Sequence, residues 1–224
     1  MDNAYRHSWN NGSDIDLPIG KIVCVGRNYL AHIQELSNPI PDEPVLFMKP
    51  STALVPFTEP VVVPHGQGAC HHELEIAVLI NEQLSAVSEK KALESVAGYG
   101  LALDLTLRDV QAKMKKKGLP WERAKAFDGS CPMTPFIPAD QVEHPQQLTF
   151  SLKRNGKIQQ NGDARLMMYG IGALIAHISQ LFTVLPGDVI LTGTPDGVGP
   201  LEPGDRLQAV LDNGDGIVWQ TEMK

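Results

Sequence analysis

The stretch His72-Glu73-Leu74-Glu75-Ile76-Ala77-Val78-Leu79-Ile80 places two carboxylates at the start of a segment that otherwise has the composition of a buried strand. Alternate side chains of a strand share a face, so Glu73 and Glu75 point one way while Leu74 and the alternating apolar residues after it point the other way. Two carboxylates about 4 Å apart repel by about 4 kcal/mol at an effective dielectric of 20. A divalent cation would remove this conflict, so the stretch predicts both a core strand and a metal site at its beginning.

A third acid fits the same site. Residues 100–105 alternate between apolar and other side chains, which puts Asp104 on the face opposite the leucines. Three carboxylate ligands are typical of Mg²⁺ or Mn²⁺. Two other interpretations remain open from the residues alone: solvent-exposed strand carboxylates, and a zinc site that uses either His71 or His72 with a neighbouring residue.

Composition limits the classes of function. The chain has 224 residues, 42% of them hydrophobic, which allows one substantial core. Its formal net charge of -7, without a basic stripe, argues against nucleic acid as a partner, and the short run Lys115-Lys116-Lys117 is expected to be a solvated helix end. No apolar run approaches the roughly 20 residues that span a bilayer, and residues 1–20 lack the pattern of a signal peptide, so we expect a cytoplasmic protein. The three cysteines form no CxxC pair and are expected to be reduced packing residues.

Periodicity and turn signals predict short strands with a few helices between them. Predicted strands cover residues 21–25, 45–48, 61–63, 73–80, 100–105, 148–153, 157–160, 189–191 and 206–211, and predicted helices cover 29–36, 88–97, 110–117 and 167–182. Thr106 to Asp109 resembles a capping box, and Asn155-Gly156 is a hairpin signal. Because regular βαβ alternation is missing, the expected class is α+β with a rolled or sandwiched mixed sheet.

Other residues could carry chemistry. His32 and Glu35 are three apart on a predicted helix and so share a face, an arrangement in which a carboxylate orients a general base. Lys125 is flanked by aromatic and small residues and could lie partly buried near the acids. The Gly-rich loop 193–200 lacks the ending of a P-loop, so its Thr194 and backbone N–H groups either contact an anion or only reverse the chain.

Several stretches occur together and in order: Gly26-Arg27-Asn28-Tyr29 followed by His32 and Glu35, Glu43-Pro44-Val45-Leu46-Phe47-Met48-Lys49-Pro50, His71-His72-Glu73-Leu74-Glu75, Ala102-Leu103-Asp104-Leu105-Thr106, Lys117-Gly118-Leu119-Pro120-Trp121, and Leu191-Thr192-Gly193-Thr194-Pro195. Over about residues 21–211 they resemble the fumarylacetoacetate hydrolase family, and in particular its short acylpyruvase and oxaloacetate-handling branch. The resemblance implies a mixed β-sandwich roll, usually dimeric. It also implies one catalytic domain, residues 21–224, after a short N-terminal extension, residues 1–20.

The resemblance also implies roles for individual residues. Glu73, Glu75 and Asp104 would hold Mg²⁺ or Mn²⁺. His32 and Glu35 would form a catalytic dyad on a segment that closes as a lid, and Lys125 would bind and polarise the substrate. Further substrate contacts would come from four residues, namely Arg27, Arg108, Gln111 and Thr194.

The expected substrate is a small 2-oxo acid that chelates the metal and reacts through an enolate. Hydrolytic C–C cleavage of acylpyruvates is the first expectation, and keto–enol tautomerisation or decarboxylation of oxaloacetate at the same site are the alternatives. A protein that binds small diacids without turnover is a further alternative, which the combination of His32, Glu35 and Lys125 disfavours.

Overall fold

The computed structural model describes residues 5–214 and 216–224; residues 1–4, which belong to the predicted N-terminal extension, lie outside the described residues. The strands are β1 (Ile22–Val25), β2 (Leu46–Lys49), β3 (Leu54–Pro56), β4 (Cys70–His72), β5 (Leu74–Ile80), β6 (Val96–Leu103), β7 (Thr106–Leu107), β8 (Cys131–Met133), β9 (Ile137–Pro138), β10 (Thr149–Arg154), β11 (Lys157–Asp163), β12 (Val189–Leu191), β13 (Gly199–Pro200), β14 (Arg206–Asp212) and β15 (Ile217–Glu222). The helices are α1 (Leu30–Glu35), α2 (Glu89–Glu94), α3 (Arg108–Lys116), α4 (Glu122–Lys125) and α5 (Ile171–Leu181).

Three sheets organise these strands. An eight-stranded sheet has the order β2-β1-β12-β5-β6-β8-β3, with β9 paired to β6; a four-stranded sheet has the order β11-β10-β14-β15; and a small sheet joins β13, β4 and β7. The large sheet is mixed, because β1 runs parallel to β12 and β3 runs parallel to β8 while its other pairs are antiparallel. This architecture confirms the expected α+β class with a mixed, curled sheet.

Strand β5 lies at the middle of the large sheet and is buried along its whole length. Leu74, Ile76, Val78 and Ile80 belong to one apolar core, whereas Ala77 and Leu79 belong to the core on the opposite face. The alternation predicted from the sequence is therefore confirmed. Burying each of these larger aliphatic side chains stabilises the fold by about 1.5–3 kcal/mol, which holds β5 in a single register.

One predicted strand is missing, and several predicted elements have other boundaries. Residues 61–63 form no strand, because Val61 makes only an isolated bridge to Met223. The predicted helix 88–97 ends at Glu94, since Val96 already pairs with Ile80 as the first residue of β6. Pairing with the central strand thus overrides the local helical pattern.

The helix predicted over 167–182 is shorter in the structure, where α5 starts after Gly170. Met167 instead forms a bridge with Tyr29. The helix packs Ile171 and the apolar residues that follow at helical spacing into the core, but Leu181 is 59% exposed. The apolar stripe of α5 therefore covers less of the helix than its sequence predicts.

Other local predictions are confirmed. Asn155 and Gly156 have φ values of +52° and +79° and connect β10 to β11 with Arg154 paired to Lys157, which is the geometry expected of a tight Asn-Gly hairpin. The three cysteines are buried and free. No helix within residues 5–214 and 216–224 is long and apolar enough to cross a membrane.

Candidate active site

Glu73, Glu75 and Asp104 meet where the ladder between β5 and β6 ends. Glu73 immediately precedes β5 and Asp104 immediately follows β6, and the amide of Asp104 donates to the carbonyl oxygen of Glu73 at 2.8 Å, which sets the two residues opposite each other. Glu75 follows two residues later, on the same face of the strand. One oxygen from each carboxylate lies within 4.8 Å of the others, and each residue is at most 4% exposed.

Two buried lysines and one arginine compensate these acids. Lys125, the last residue of α4, donates from Nζ to Glu73 Oε2 at 2.7 Å and also to Asp104 Oδ2. Lys49, the last residue of β2, places its Nζ 2.8 Å from Asp104 Oδ1. Arg108 forms an ion pair with Glu73 Oε1. The acids therefore lie among three cations rather than facing one another alone.

Lys49 lies in the motif Glu43-Pro44-Val45-Leu46-Phe47-Met48-Lys49-Pro50, but no role for it was predicted from the sequence. Its side chain is completely buried and bonds to Ser130 O at 3.0 Å, to Ser130 Oγ at 3.1 Å and to the carbonyl oxygen of Lys125. A lysine at the end of an apolar strand is the signal that could have identified it, because lysine is rarely buried without an ionic partner.

Burial and neighbouring charges together set the pKa values of these groups. Burial alone would raise the pKa of Glu73, but Lys125 and Arg108 outweigh it and hold that pKa well below its ordinary value. Burial, reinforced by Asp104, raises the pKa of Glu75. Burial alone would lower the pKa of Lys125, but Asp104 and Glu73 raise it above its ordinary value. Lys125 is therefore a permanent cation at neutral pH.

The residues present fit a divalent metal ion. Although Lys49 Nζ lies close to Asp104 Oδ1, its N–H bonds are directed at backbone and hydroxyl oxygens, so this buried carboxylate oxygen accepts no hydrogen bond within the described residues. Opposite ligands of an ion with bonds of about 2.1 Å lie about 4 Å apart, close to the spacing seen here. The cluster includes neither His71 nor His72, and His72 Nδ1 instead bonds to Gln160 Oε1 at 3.0 Å, so the zinc alternative has no support.

His32 and Glu35 both lie on α1, as predicted. His32 is 3% exposed, and its Nδ1 lies 3.5 Å from Glu35 Oε2. This contact lacks hydrogen-bond geometry, which is common for catalytic pairs without substrate. Burial lowers the pKa of His32, so the imidazole is neutral at neutral pH. A neutral imidazole beside a carboxylate is suited to accept a proton.

The loop after β12 fixes two of the acidic side chains through backbone N–H groups. Gly193 N donates to Glu75 Oε2 at 2.7 Å, and Gly197 N donates to Glu35 Oε1 at 3.0 Å. Gly193 has a φ of +95°, and a Cβ there would lie 2.7 Å from the Cβ of Asn28. The loop therefore acts on carboxylates of the chain itself, a role that the sequence did not reveal.

Thr194 is buried, and its hydroxyl is engaged within the protein. Thr194 Oγ1 donates to Leu74 O at 2.8 Å and accepts from Gln160 Nε2 at 2.8 Å. Gln160, on β11 of the second sheet, also accepts from Leu74 N at 2.9 Å and donates to Pro195 O at 3.1 Å. The structure thus uses Thr194 to join the loop to β5, and Gln160 is a second residue of this network that the sequence analysis missed.

The predicted capping box is wrong, although α3 does present two predicted site residues. Thr106 lies in β7 and donates from Oγ1 to Asp104 O at 3.0 Å, and Asp109 Oδ2 accepts from Ala69 N at 3.1 Å. The helix begins at Arg108, whose guanidinium also donates to Gln111 Oε1 at 2.9 Å. Nearby backbone groups therefore satisfy the capping side chains, and the helix starts beside Glu73.

His32, Glu73 and Lys125 line one narrow cleft with a cavity volume of about 10 Å³, the space of about one water molecule, whereas Glu35, Glu75 and Asp104 are outside its lining. It is lined by residues from α1 and the loop after it, from α3, from the segment around α4 and from the start of β5: Gly26, Arg27, His32, Leu36, Asn38, Glu73, Arg108, Gln111, Lys115, Trp121 and Lys125. Of the predicted substrate contacts, Arg27, Arg108 and Gln111 line the cleft, whereas the structure does not bring Thr194 into its lining.

A buried acidic triad at the end of a central sheet, beside a neutral histidine, is typical of enzymes that use a divalent metal to polarise a carbonyl group. Comparison with known proteins agrees with this class. The model of the fumarylacetoacetate (FAA) hydrolase C-terminal family matches residues 21–222. The chain is 52% identical over 208 residues to the oxaloacetate tautomerase YcgM of Escherichia coli K12, an alignment that covers 92% of this chain and 94% of the relative.

Two solved structures are also similar. A protein from Yersinia pestis CO92, described as of the fumarylacetoacetate hydrolase family, superposes with a TM-score of 0.95 at 48% identity and covers 98% of this chain and 100% of its own. The fumarylpyruvate hydrolase of Pseudomonas aeruginosa, solved with Mn²⁺ and pyruvate, has a TM-score of 0.90 at 34% identity and covers 100% of this chain and 98% of its own. The chain therefore belongs to the fumarylacetoacetate hydrolase family.

Proposed function

We propose that this protein catalyses the keto–enol tautomerisation of oxaloacetate, with Mg²⁺ or Mn²⁺ held by Glu73, Glu75 and Asp104. The observation that carries the proposal is the 52% identity to the E. coli oxaloacetate tautomerase over 92% of the chain. The assembled acidic triad and the neutral His32 beside Glu35 supply the groups that such a reaction needs. Acylpyruvate hydrolysis, the first expectation from the sequence, becomes the second candidate.

The reaction moves one proton between carbon and oxygen. When bound, the metal supplies positive charge that stabilises the enolate of a 2-oxo acid. His32 removes a proton from C3, the C–H electron pair forms the C2–C3 double bond as the C2–O π pair moves onto oxygen, and the protonated imidazole then returns its proton to that oxygen. Glu35 orients His32 and stabilises its protonated form. Lys125, a permanent cation, stabilises the negative charge that develops on the substrate.

Substrate entry requires a change around α1. The cleft has room for about one water molecule, which is far too small for a four-carbon acid. The bond from Gly197 N to Glu35 Oε1 holds the end of α1 against the loop after β12. In our proposal, the segment with His32 and Glu35 opens to admit substrate and then closes over it, which places the imidazole next to C3 and excludes water.

The test uses EDTA-stripped protein in weak buffer, with enol-oxaloacetate as substrate. Loss of enol absorbance reports tautomerisation, and a coupled lactate dehydrogenase assay reports pyruvate in parallel. We expect Mg²⁺ or Mn²⁺ to restore rapid loss of enol absorbance without a matching release of pyruvate. Metal-restored pyruvate from oxaloacetate would instead identify a decarboxylase. If the metal restores neither loss of enol absorbance nor pyruvate release, an enzymatic role on oxaloacetate is refuted.

A histidine pair supplies the matched control. His32→Asn should lower the tautomerisation rate by about 100-fold or more, the usual contribution of a general base. His144 has a side chain that is 60% exposed, and His144→Asn should leave the rate unchanged. Equal rates in the two variants would remove His32 from the mechanism.

Acylpyruvate hydrolysis is supported by the similarity to the P. aeruginosa fumarylpyruvate hydrolase at 34% identity. It is tested with acetylpyruvate under the same conditions, where pyruvate release at a rate above that of oxaloacetate tautomerisation would reverse the order of the two candidates. The homodimer that the family resemblance implies is part of the proposal and is tested by light scattering.

A further inference from the structure

The cleft contains two kinds of cation. Arg108 and Lys125 have carboxylate partners in the acidic triad. Arg27 and Lys115 do not: within the described part of the chain, both bond only to uncharged oxygens. Arg27 donates to Pro39 O at 3.2 Å and to Asn38 Oδ1 at 3.3 Å, and Lys115 donates to Asn38 Oδ1 at 3.0 Å. Two uncompensated positive charges thus face a cleft in a chain whose net charge is -7.

Lys115 differs from the lysines around it. Lys113, Lys116 and Lys117 are exposed, whereas Lys115 is half-buried, lines the cleft and places its Nζ 5.5 Å from the ring centre of Trp121. The sequence predicted that Lys115 belongs to a solvated helix end, and the structure contradicts this for Lys115 alone. Burial, and then the neighbouring charges of Arg27 and Arg108, lower the pKa of Lys115. An anion between these groups would remove their repulsion.

The position of Lys115 along α3 directs it to the same side of the helix as two other cleft residues. Arg108, Gln111 and Lys115 share one face of the helix at spacings of three and four residues. Gln111 and Lys115 are one turn apart, about 6 Å along the axis. In a four-carbon diacid, three C–C bonds of about 1.5 Å separate the two carboxyl carbons by about 4 Å. Glu73 of the acidic triad and Lys115 line the same cleft, which is the arrangement that a short diacid would need to contact both.

We propose that Lys115, assisted by Arg27, binds the distal carboxylate of a dicarboxylic 2-oxo acid and so determines the specificity of the site. The inference rests on the proposed function for the placement of the 2-oxo acid end at the triad. Asn38, the shared partner of both cations, then acts as a temporary acceptor that the substrate carboxylate replaces. Monocarboxylic 2-oxo acids occupy the same site without this contact and bind more weakly.

The test compares oxaloacetate with pyruvate, which has the 2-oxo acid end but no distal carboxylate. Lys115→Met keeps a flexible unbranched side chain and removes the charge, and Lys116→Met makes the same change at the exposed neighbour. With Mg²⁺ present, we expect Lys115→Met to raise the KM for oxaloacetate at least 10-fold and to change the inhibition constant of pyruvate less than 2-fold. Lys116→Met should change neither constant, and Lys115→Arg should keep the KM within about 3-fold of the original.

Two results would overturn the inference: a KM for oxaloacetate in Lys115→Met that equals that of Lys116→Met, or an inhibition constant of pyruvate that rises by the same factor as the KM. Binding of oxaloacetate and of pyruvate, measured by calorimetry without turnover, tests this inference separately from the proposed function. If the original protein does not tautomerise oxaloacetate, the function fails. The inference then stands if oxaloacetate still binds more tightly than pyruvate and Lys115→Met abolishes that difference, and it fails if the two ligands bind alike.

Discussion

Gln160 provides the sharpest test of how the fold holds the acidic triad. Its side chain is 1% exposed and makes four hydrogen bonds: Oε1 accepts from Leu74 N at 2.9 Å and from His72 Nδ1 at 3.0 Å, and Nε2 donates to Thr194 Oγ1 at 2.8 Å and to Pro195 O at 3.1 Å. Residues 72 and 74 flank the first acid of the triad. One amide therefore joins the second sheet, the start of β5 and the loop after β12.

Gln160→Glu preserves the shape of the side chain and the acceptor oxygen but replaces the amide donor with a second oxygen. Thr194 Oγ1 and Pro195 O each lose a hydrogen bond, and each buried group left unsatisfied costs about 1–3 kcal/mol, so the expected loss is about 2–6 kcal/mol. For a chain of this size, 1 kcal/mol corresponds to about 2–4 °C in Tm, which predicts a decrease of at least about 4 °C.

The assay is thermal unfolding in excess EDTA, so that metal affinity does not contribute. Asn161→Asp is the matched control, because Asn161 is the next residue of β11, is exposed, and undergoes the same change from amide to carboxylate. Protonation of the introduced carboxylate returns one donor to the network, so Gln160→Glu should recover part of its loss at pH 5. A Tm within 2 °C of that of Asn161→Asp at neutral pH would refute the reasoning.

Three further predictions follow from buried charge. Saturating Mn²⁺ at 100 times its Kd should stabilise the EDTA-stripped protein by about 2.7 kcal/mol, a rise of about 5–11 °C in Tm by differential scanning calorimetry; no shift would contradict the metal site. Asp104→Ala should abolish this shift and lower the unfolding free energy by about 3–5 kcal/mol, because buried Lys49 loses its carboxylate partner and Lys125 keeps only Glu73. A more stable variant in urea unfolding would show instead that repulsion among the acids dominates. Burial lowers the pKa of His7, which is fully buried and bonds to Gly187 O at 3.1 Å. The stability that burial of the neutral His7 ring contributes is therefore present above pH 6.5. It is lost as the pH falls below that value, by up to about 1.4 kcal/mol per pH unit, because the unfolded chain binds the proton more readily. His7→Gln should flatten the decrease in unfolding free energy between pH 7 and pH 5.5, and parallel curves would contradict this assignment.

Local periodicity was sufficient to find the central strand and its acids. Glu73, Glu75 and Asp104 were predicted because apolar residues alternate with them, and a two-residue repeat assigns side chains to the two faces of a strand. The Asn155-Gly156 hairpin was predictable for a similar reason, since two residues with positive φ define the turn. In each case the determinant lies within a few residues of the feature.

The missed features depend on residues far apart in the chain. Gln160 bonds to Leu74, 86 positions away, and no pattern around β11 marks it as part of a site. The capping box failed because Asp109 Oδ2 accepts from Ala69 N, 40 positions away, while Thr106 Oγ1 donates to Asp104 O, two residues before it, rather than capping the helix. Side-chain hydrogen bonds of this kind are decided by tertiary packing, which a local motif does not contain.

The same distinction explains why the sequence overstated the repulsion within the triad. Three acids close together predict strong mutual repulsion, but Lys49, Lys125 and Arg108 approach from β2, α4 and α3 and nearly balance them. A divalent ion added to a balanced cluster brings excess positive charge, which an anionic substrate can neutralise. Under the proposed function, metal and diacid would therefore favour each other's binding, and this coupling would contribute more than relief of repulsion among the carboxylates.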